Sequence, residues 1–174
     1  MSINTVDLKQ DYDLPVNDRG ELPFDLMEFE TIKYISKTAR QSFELRLTRG
    51  EQGRSINIRA KDGCVYITNK RLLFITASSG DVTSFALYLS VLPKIQFIHK
   101  VVAPWFGANY WEFLFHTNPS ISTAFDGLPM DTYFTGSFVF SDGGTFEFYK
   151  VFDELLQDIK NNPDIDENLP RYTP

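Results

Sequence analysis

The sequence predicts a mainly β protein, an antiparallel barrel or two-sheet sandwich, closed by a single C-terminal capping α-helix. Three observations predict it. Short runs of alternating apolar residues follow one another from Phe43 onward, the period of a strand with one buried face. At the centre, Gly63-Cys64-Val65-Tyr66-Ile67-Thr68 and Leu72-Leu73-Phe74-Ile75 flank a polar Thr-Asn-Lys-Arg break. The second run is continuously apolar over strand length, so this hairpin has at least one strand buried on both faces. Finally, the period changes once. Phe152, Leu155, Leu156 and Ile159 stand at i, i+3, i+4 and i+7, the stripe of an amphipathic helix.

The elements follow in order. Residues 1–30 form an acidic N-terminal extension, broken by Pro15, Gly20 and Pro23. Its first 20 residues read as loosely ordered, while Leu22, Phe24, Leu26, Met27 and Phe29 are expected to dock. Residues 31–161 form the folded domain. Phe43, Leu45 and Leu47 alternate, then Ile56 and Ile58, and Lys61-Asp62-Gly63 turns into the central hairpin. Further strands are expected at Phe85–Leu89, Ile95–Phe97 and Trp111–Phe115. Residues 116–133, with Asn118-Pro119 and Asp126-Gly127-Leu128-Pro129, read as a long loop folded back on the domain. Phe138/Phe140 and Phe146/Phe148 alternate around Ser141-Asp142-Gly143-Gly144 and predict a last hairpin. Asn161-Asn162-Pro163 ends the helix. Residues 162–174 are acidic, nearly free of apolar side chains, and expected to be a flexible tail.

At 43% hydrophobic, with 16 Phe in 174 residues, the chain has enough apolar matter for a real core. Its formal charge of −6 argues against non-specific binding of nucleic acid, which needs clustered Lys and Arg. The single cysteine, Cys64, excludes an intrachain disulfide and suits a reducing compartment. The N-terminus lacks a basic segment followed by an apolar run, so no secretory signal is expected. No stretch has the roughly 18 apolar residues of a spanning helix. A cytoplasmic or nuclear location is expected.

Chemistry-bearing patterns are sparse. His99 and His116 are the only histidines, and they lie in no His-Glu-x-x-His pattern. No Cys-x-x-Cys is present, so no metal site and no cofactor are expected. No Gly-x-Ser-x-Gly elbow is present, and the protein is expected not to be an enzyme. Gly143-Gly144 reads as a hairpin turn rather than a phosphate loop. Lys70-Arg71, with Arg54, Arg59 and Lys61, forms a candidate cationic rim for a lipid head group. Trp105, Phe106, Tyr110 and Trp111 form either an aromatic surface or a packed corner of the barrel. Large aromatics usually bury their area, which favours the corner.

Taken together, Gly63-Cys64-Val65-Tyr66-Ile67-Thr68-x-x-Arg71-Leu72-Leu73-Phe74, then Ser84-Phe85, Phe106-Gly107-Ala108-Asn109-Tyr110 and Gly143-Gly144-x-Phe146-Glu147-Phe148, resemble the GRAM domain of the WW-domain-binding protein 2 family. The resemblance covers roughly residues 36–160. It implies a pleckstrin-homology-like barrel with a capping helix. It also implies a WW-domain partner, such as a HECT-type ubiquitin ligase, and the transcriptional coactivator role known for some members. Family members bind WW domains through Pro-Pro-x-Tyr motifs. This chain departs from them in carrying Leu169-Pro170-Arg171-Tyr172 instead.

That motif has its own physical reading. Pro170 favours polyproline II and presents its ring, with Tyr172, to an aromatic groove at low ordering cost. The expectation is a non-catalytic adaptor that recruits WW-domain proteins through Leu169, Pro170 and Tyr172. The alternative is a module that binds phosphoinositide membranes, with Lys70 and Arg71 as its contacts.

Overall fold

The computed structural model describes residues 2–48, 55–78 and 80–162. Among these are ten strands: β1 Ser2–Ile3, β2 Ile32–Ile35, β3 Gln41–Leu47, β4 Asn57–Ala60, β5 Gly63–Thr68, β6 Arg71–Thr76, β7 Ser84–Tyr88, β8 Phe97–Val102, β9 Tyr110–His116 and β10 Tyr133–Phe140. One helix, α1, spans Thr145–Asn161. The strands form two five-stranded sheets, ordered β1-β7-β6-β5-β2 and β4-β3-β10-β9-β8. All pairings are antiparallel except β1 with β7. The expected two-sheet sandwich with a C-terminal helix is the observed architecture.

The inner faces of both sheets and one face of α1 share a single core dominated by aromatic rings. Trp111 stacks on Phe113 at 4.7 Å and on Phe138 at 5.7 Å, while Phe43 meets Phe85 at 4.8 Å. One glycine makes this layer possible. Gly136 on β10 is registered against Phe113 on β9, and a Cβ there would lie 2.2 Å from the Phe113 ring. Any side chain at residue 136 would therefore displace the ring.

Strands β5 and β6 are buried at every position. Leu72 and Phe74 face the main core. Leu73 and Ile75 face a second cluster with Tyr66, Phe24 and Val6. The continuous apolar run thus has a cause: the N-terminal segment covers the outer face of this sheet.

The segment itself departs from expectation. Residues 2–20, expected to be loosely ordered, are built into the fold, because an apolar minority (Ile3, Val6, Leu8, Leu14) anchors them while the carboxylates face solvent. Ser2 and Ile3 pair with β7, and the Tyr66 hydroxyl donates to the Pro15 carbonyl. Buried Asn4 donates from Nδ2 to the Ala86 and Ala124 carbonyls and accepts from the Asp126 N–H. Of the five residues expected to dock, Phe24 is buried and Leu22 packs beside it, but Leu26, Met27 and Phe29 are exposed.

Residues 116–133 fold back as expected. A 3-10 helix at Pro119–Phe125 and the following turn bury Phe125 and Leu128. The hairpin expected around Gly143-Gly144 does not form. Both glycines adopt positive φ, 81° and 97°, and the chain turns straight into α1 with Gly144 as its N-cap. Phe146 and Phe148 have strand spacing, but the spacing that governs is Phe148, Phe152 and Leu156, one buried residue per turn. Phe146 is left exposed.

Helix α1 is clasped by polar groups as well. Trp111 Nε1–H donates to His99 Nδ1 at 3.1 Å, so neutral His99 carries its proton on Nε2, 3.1 Å from Asp153 Oδ1. The ring lies against Tyr149 and Phe152. Burial pushes the His99 pKa down and outweighs the Asp153 carboxylate, which raises it; Lys160 lowers it further. Below the ordinary value of 6.5 the unfolded chain takes up this proton before the folded one does. Stability from this group is therefore complete above pH 6.5 and falls as pH drops toward the lower folded pKa. Thermal melts of wild type and His99→Gln across that interval should show a His99-dependent slope that the variant lacks.

Arg71 is likewise buried. Its Nε donates to Glu30 Oε2 at 2.8 Å and an Nη donates to Oε1 at 3.0 Å, with Phe24 beneath the guanidinium at 5.3 Å. The carboxylate also accepts from Thr68 Oγ1–H and the Met27 N–H. Burial alone would raise the Glu30 pKa, but the bonds from Arg71, Met27 and Thr68 bring it below 4.5. Its contribution is present above pH 4.5 and lost as pH falls through the folded value. Arg71→Ala, which strands a buried carboxylate, should cost about 3–5 kcal/mol, and the paired Glu30→Leu/Arg71→Met change should cost less. Chemical denaturation of the three chains measures this.

Candidate functional site

The structure separates the residues that the sequence nominated. Lys70 and Arg71 lie at the β5–β6 turn. Arg71 is spent on Glu30, and Lys70 Nζ donates to the Glu28 carbonyl at 2.7 Å. The turn is further tied down by Asn69, which accepts from the Thr31 N–H and donates to the Phe29 carbonyl. The expected cationic rim therefore lacks Arg71, which is 5% exposed and locks the N-terminal segment to the sheet. Of the other rim residues, Arg54 lies outside the described residues, and Arg59 pairs with Glu44 at 3.4 Å. The partner that reassigns Arg71, Glu30, is 41 positions away in sequence. Its only sequence signal is its place as the last carboxylate of the acidic segment before β2.

The aromatic residues lie at the opposite end of the sandwich. The β8–β9 connection, residues 103–109, sits beside the start of α1. The Asn109 carbonyl accepts from the Phe140 N–H at 3.2 Å and from Thr145 Oγ1–H at 3.5 Å. The β2–β3 connection joins the same end, where Thr38 donates to Asp142 at 2.6 Å and Arg40 pairs with that carboxylate at 3.2 Å. Here the expectation of a packed corner fails for two residues. Trp105 is 98% exposed and Phe106 is 92% exposed. Pro104 before them and Gly107 after them, at φ 93°, carry the turn outward, and a Cβ at Gly107 would meet nothing within 4 Å. Trp111 alone fulfils the corner reading. Tyr110 is half-buried at the base of the tip, where it lines a shallow groove on the outer sheet face with Glu112, Ser137 and Val139.

The histidines are structural in their contacts. His99 belongs to the α1 clasp, and His116 Nε2 meets Asp131 at 2.9 Å across a loop. The described residues include no cluster of three or more metal-ligating side chains. Cys64 is buried, and burial pushes its thiol up to about 11, keeping it protonated and unreactive. No described helix is long and apolar enough to cross a membrane. The tail residues Leu169, Pro170 and Tyr172 lie outside the described residues.

Comparison with known proteins supports the fold. No family model matches the chain. No curated protein matches it. Among solved structures, it is similar to the Vps36 N-terminal PH domain, at 16% identity and a TM-score of 0.51, over 79% of this chain and 87% of that one. It also aligns with a chain of the 8S snRNP assembly intermediate at 12% identity and a TM-score of 0.44, over 72% of this chain and 82% of that one, which is too distant to carry an argument. The fold is pleckstrin-homology-like.

Proposed function

We propose that this chain is a non-catalytic adaptor of the WW-domain-binding protein 2 type, in which a pleckstrin-homology-like platform carries a WW-recruiting tail. The observation that carries the reading is the sequence Leu169-Pro170-Arg171-Tyr172, placed after the end of α1. Exposed Asn162 lies seven residues before Leu169, a reach of at most about 25 Å for an extended chain. Tyr172 supplies the large ring with a hydroxyl for the groove edge, and Pro170 fills the neighbouring aromatic slot. Arg171 points away from the groove. Leu169 stands where a proline would preorganise the chain, so some affinity is lost to ordering. The HECT-type ligase as partner and the coactivator role rest on the family resemblance. Head-group binding through Lys70 and Arg71 is the weaker reading, because a guanidinium shared with Glu30 is not offered to a phosphate.

Titration of the full-length protein into WW domains of a HECT-type ligase should give roughly micromolar affinity. Tyr172→Ala should abolish binding, Pro170→Ala should weaken it strongly, and Leu169→Pro should preserve or improve it. Undiminished binding by Tyr172→Ala overturns the proposal.

A further inference from the structure

The Trp105–Phe106 tip is unlike the rest of the aromatic inventory. Fourteen aromatic side chains among the described residues are under 2% exposed, whereas these two rings are almost wholly in water. Holding them there forgoes the stabilisation that burial of 150–250 Å² per ring would give. The backbone turns them outward by design: a proline before, a positive-φ glycine after, and open space around it.

We propose that this tip is a bilayer anchor: Trp105 and Phe106 insert into the interfacial region of a lipid surface and seat the protein on it peripherally. The shape favours lipid over a protein partner. Aromatic hot spots in protein interfaces sit within a surrounding rim that excludes water. At 98% and 92% exposure these rings stand proud of the surface that would have to supply such a rim. A bilayer needs none, because lipid closes around a convex knob. Tryptophan is the side chain that partitions most characteristically to the headgroup level, with an apolar body and one N–H for the polar zone.

The charge distribution permits the approach. Residues 1–30 carry eight acidic and two basic side chains, whereas residues 31–162 carry twelve and fourteen. The acidic segment packs on the outer face of β5–β6–β7, in the sheet that does not carry the tip. Near the tip, Arg40 with Asp142 and Lys100 with Glu112 compensate one another. The anchor is thus apolar rather than ionic, and it differs in place and chemistry from the head-group site considered at Lys70. It is also independent of the tail.

The protein provides its own probe. It has two tryptophans, and Trp111 is fully buried, so a change of emission on adding vesicles reports Trp105. Full-length protein mixed with phosphatidylcholine vesicles should show blue-shifted emission, reduced acrylamide quenching and co-sedimentation, all little changed by raised salt. Trp105→Ala/Phe106→Ala should lower partitioning by at least about tenfold, given the area two rings remove from water. Its thermal midpoint should equal that of wild type, since neither ring is packed. Three results overturn the proposal: no response to any vesicle, sedimentation retained by the double variant, or binding that appears only with phosphatidylserine and vanishes with salt. Concentration-dependent self-association lost in the double variant would assign the tip to a second copy of the chain and overturn it as well.

Discussion

The close approach of the Phe113 ring to the Gly136 backbone is the constraint on which the rest of the structure depends. It lets one aromatic layer fill the space between the sheets: Trp111, Phe113 and Phe138 each meet the other two in a cluster that neither sheet could enclose alone. The open side of that cluster is Trp111, and α1 covers it, with Phe148 and Phe152 both edge-on to the indole near 5 Å. The helix is therefore a wall of the core rather than an appendage. The indole N–H, which burial would leave unpaired, is satisfied by His99, and His99 in turn reaches Asp153 on the helix. One buried polar chain thus orients the wall that the aromatic contacts hold.

A second covering layer works on the opposite side. The N-terminal segment shields the outer face of the first sheet, and its attachment is electrostatic as well as apolar. The Arg71–Glu30 pair is desolvated, so its net worth is small compared with a hydrophobic replacement, but breaking it strands a charge. Its geometry fixes where the segment ends and β2 begins. This explains how a highly acidic stretch stays folded: one carboxylate is neutralised within the structure, and the others point to water.

Much of this was legible in the sequence where a period was long and uninterrupted. The unbroken Leu72–Ile75 run announced a strand covered on both sides, and Phe152–Ile159 announced the helix. The errors have specific causes. Phe146 and Phe148 satisfy both a strand period and the first turn of a helix, and only the paired positive-φ glycines decide between them. The two-residue β1 is too short to show any period. Arg71 read as surface charge because its partner is remote in sequence and local pattern cannot pair them. The Trp105–Phe106 tip ran against the usual burial of aromatics. What exposes it is the turn itself, where Gly107 takes a positive φ with open space beside it.

The central physical claim is that both sheets and α1 form one cooperative unit around the Trp111 layer. Native-state hydrogen exchange followed by peptide-resolved mass spectrometry tests it directly. The account predicts that amides of β5–β6, β9–β10 and α1 exchange together, at the rate of global unfolding, while those of residues 103–109 exchange far sooner. Exchange of α1 well ahead of the strands, in an opening that leaves the sheets protected, would contradict it.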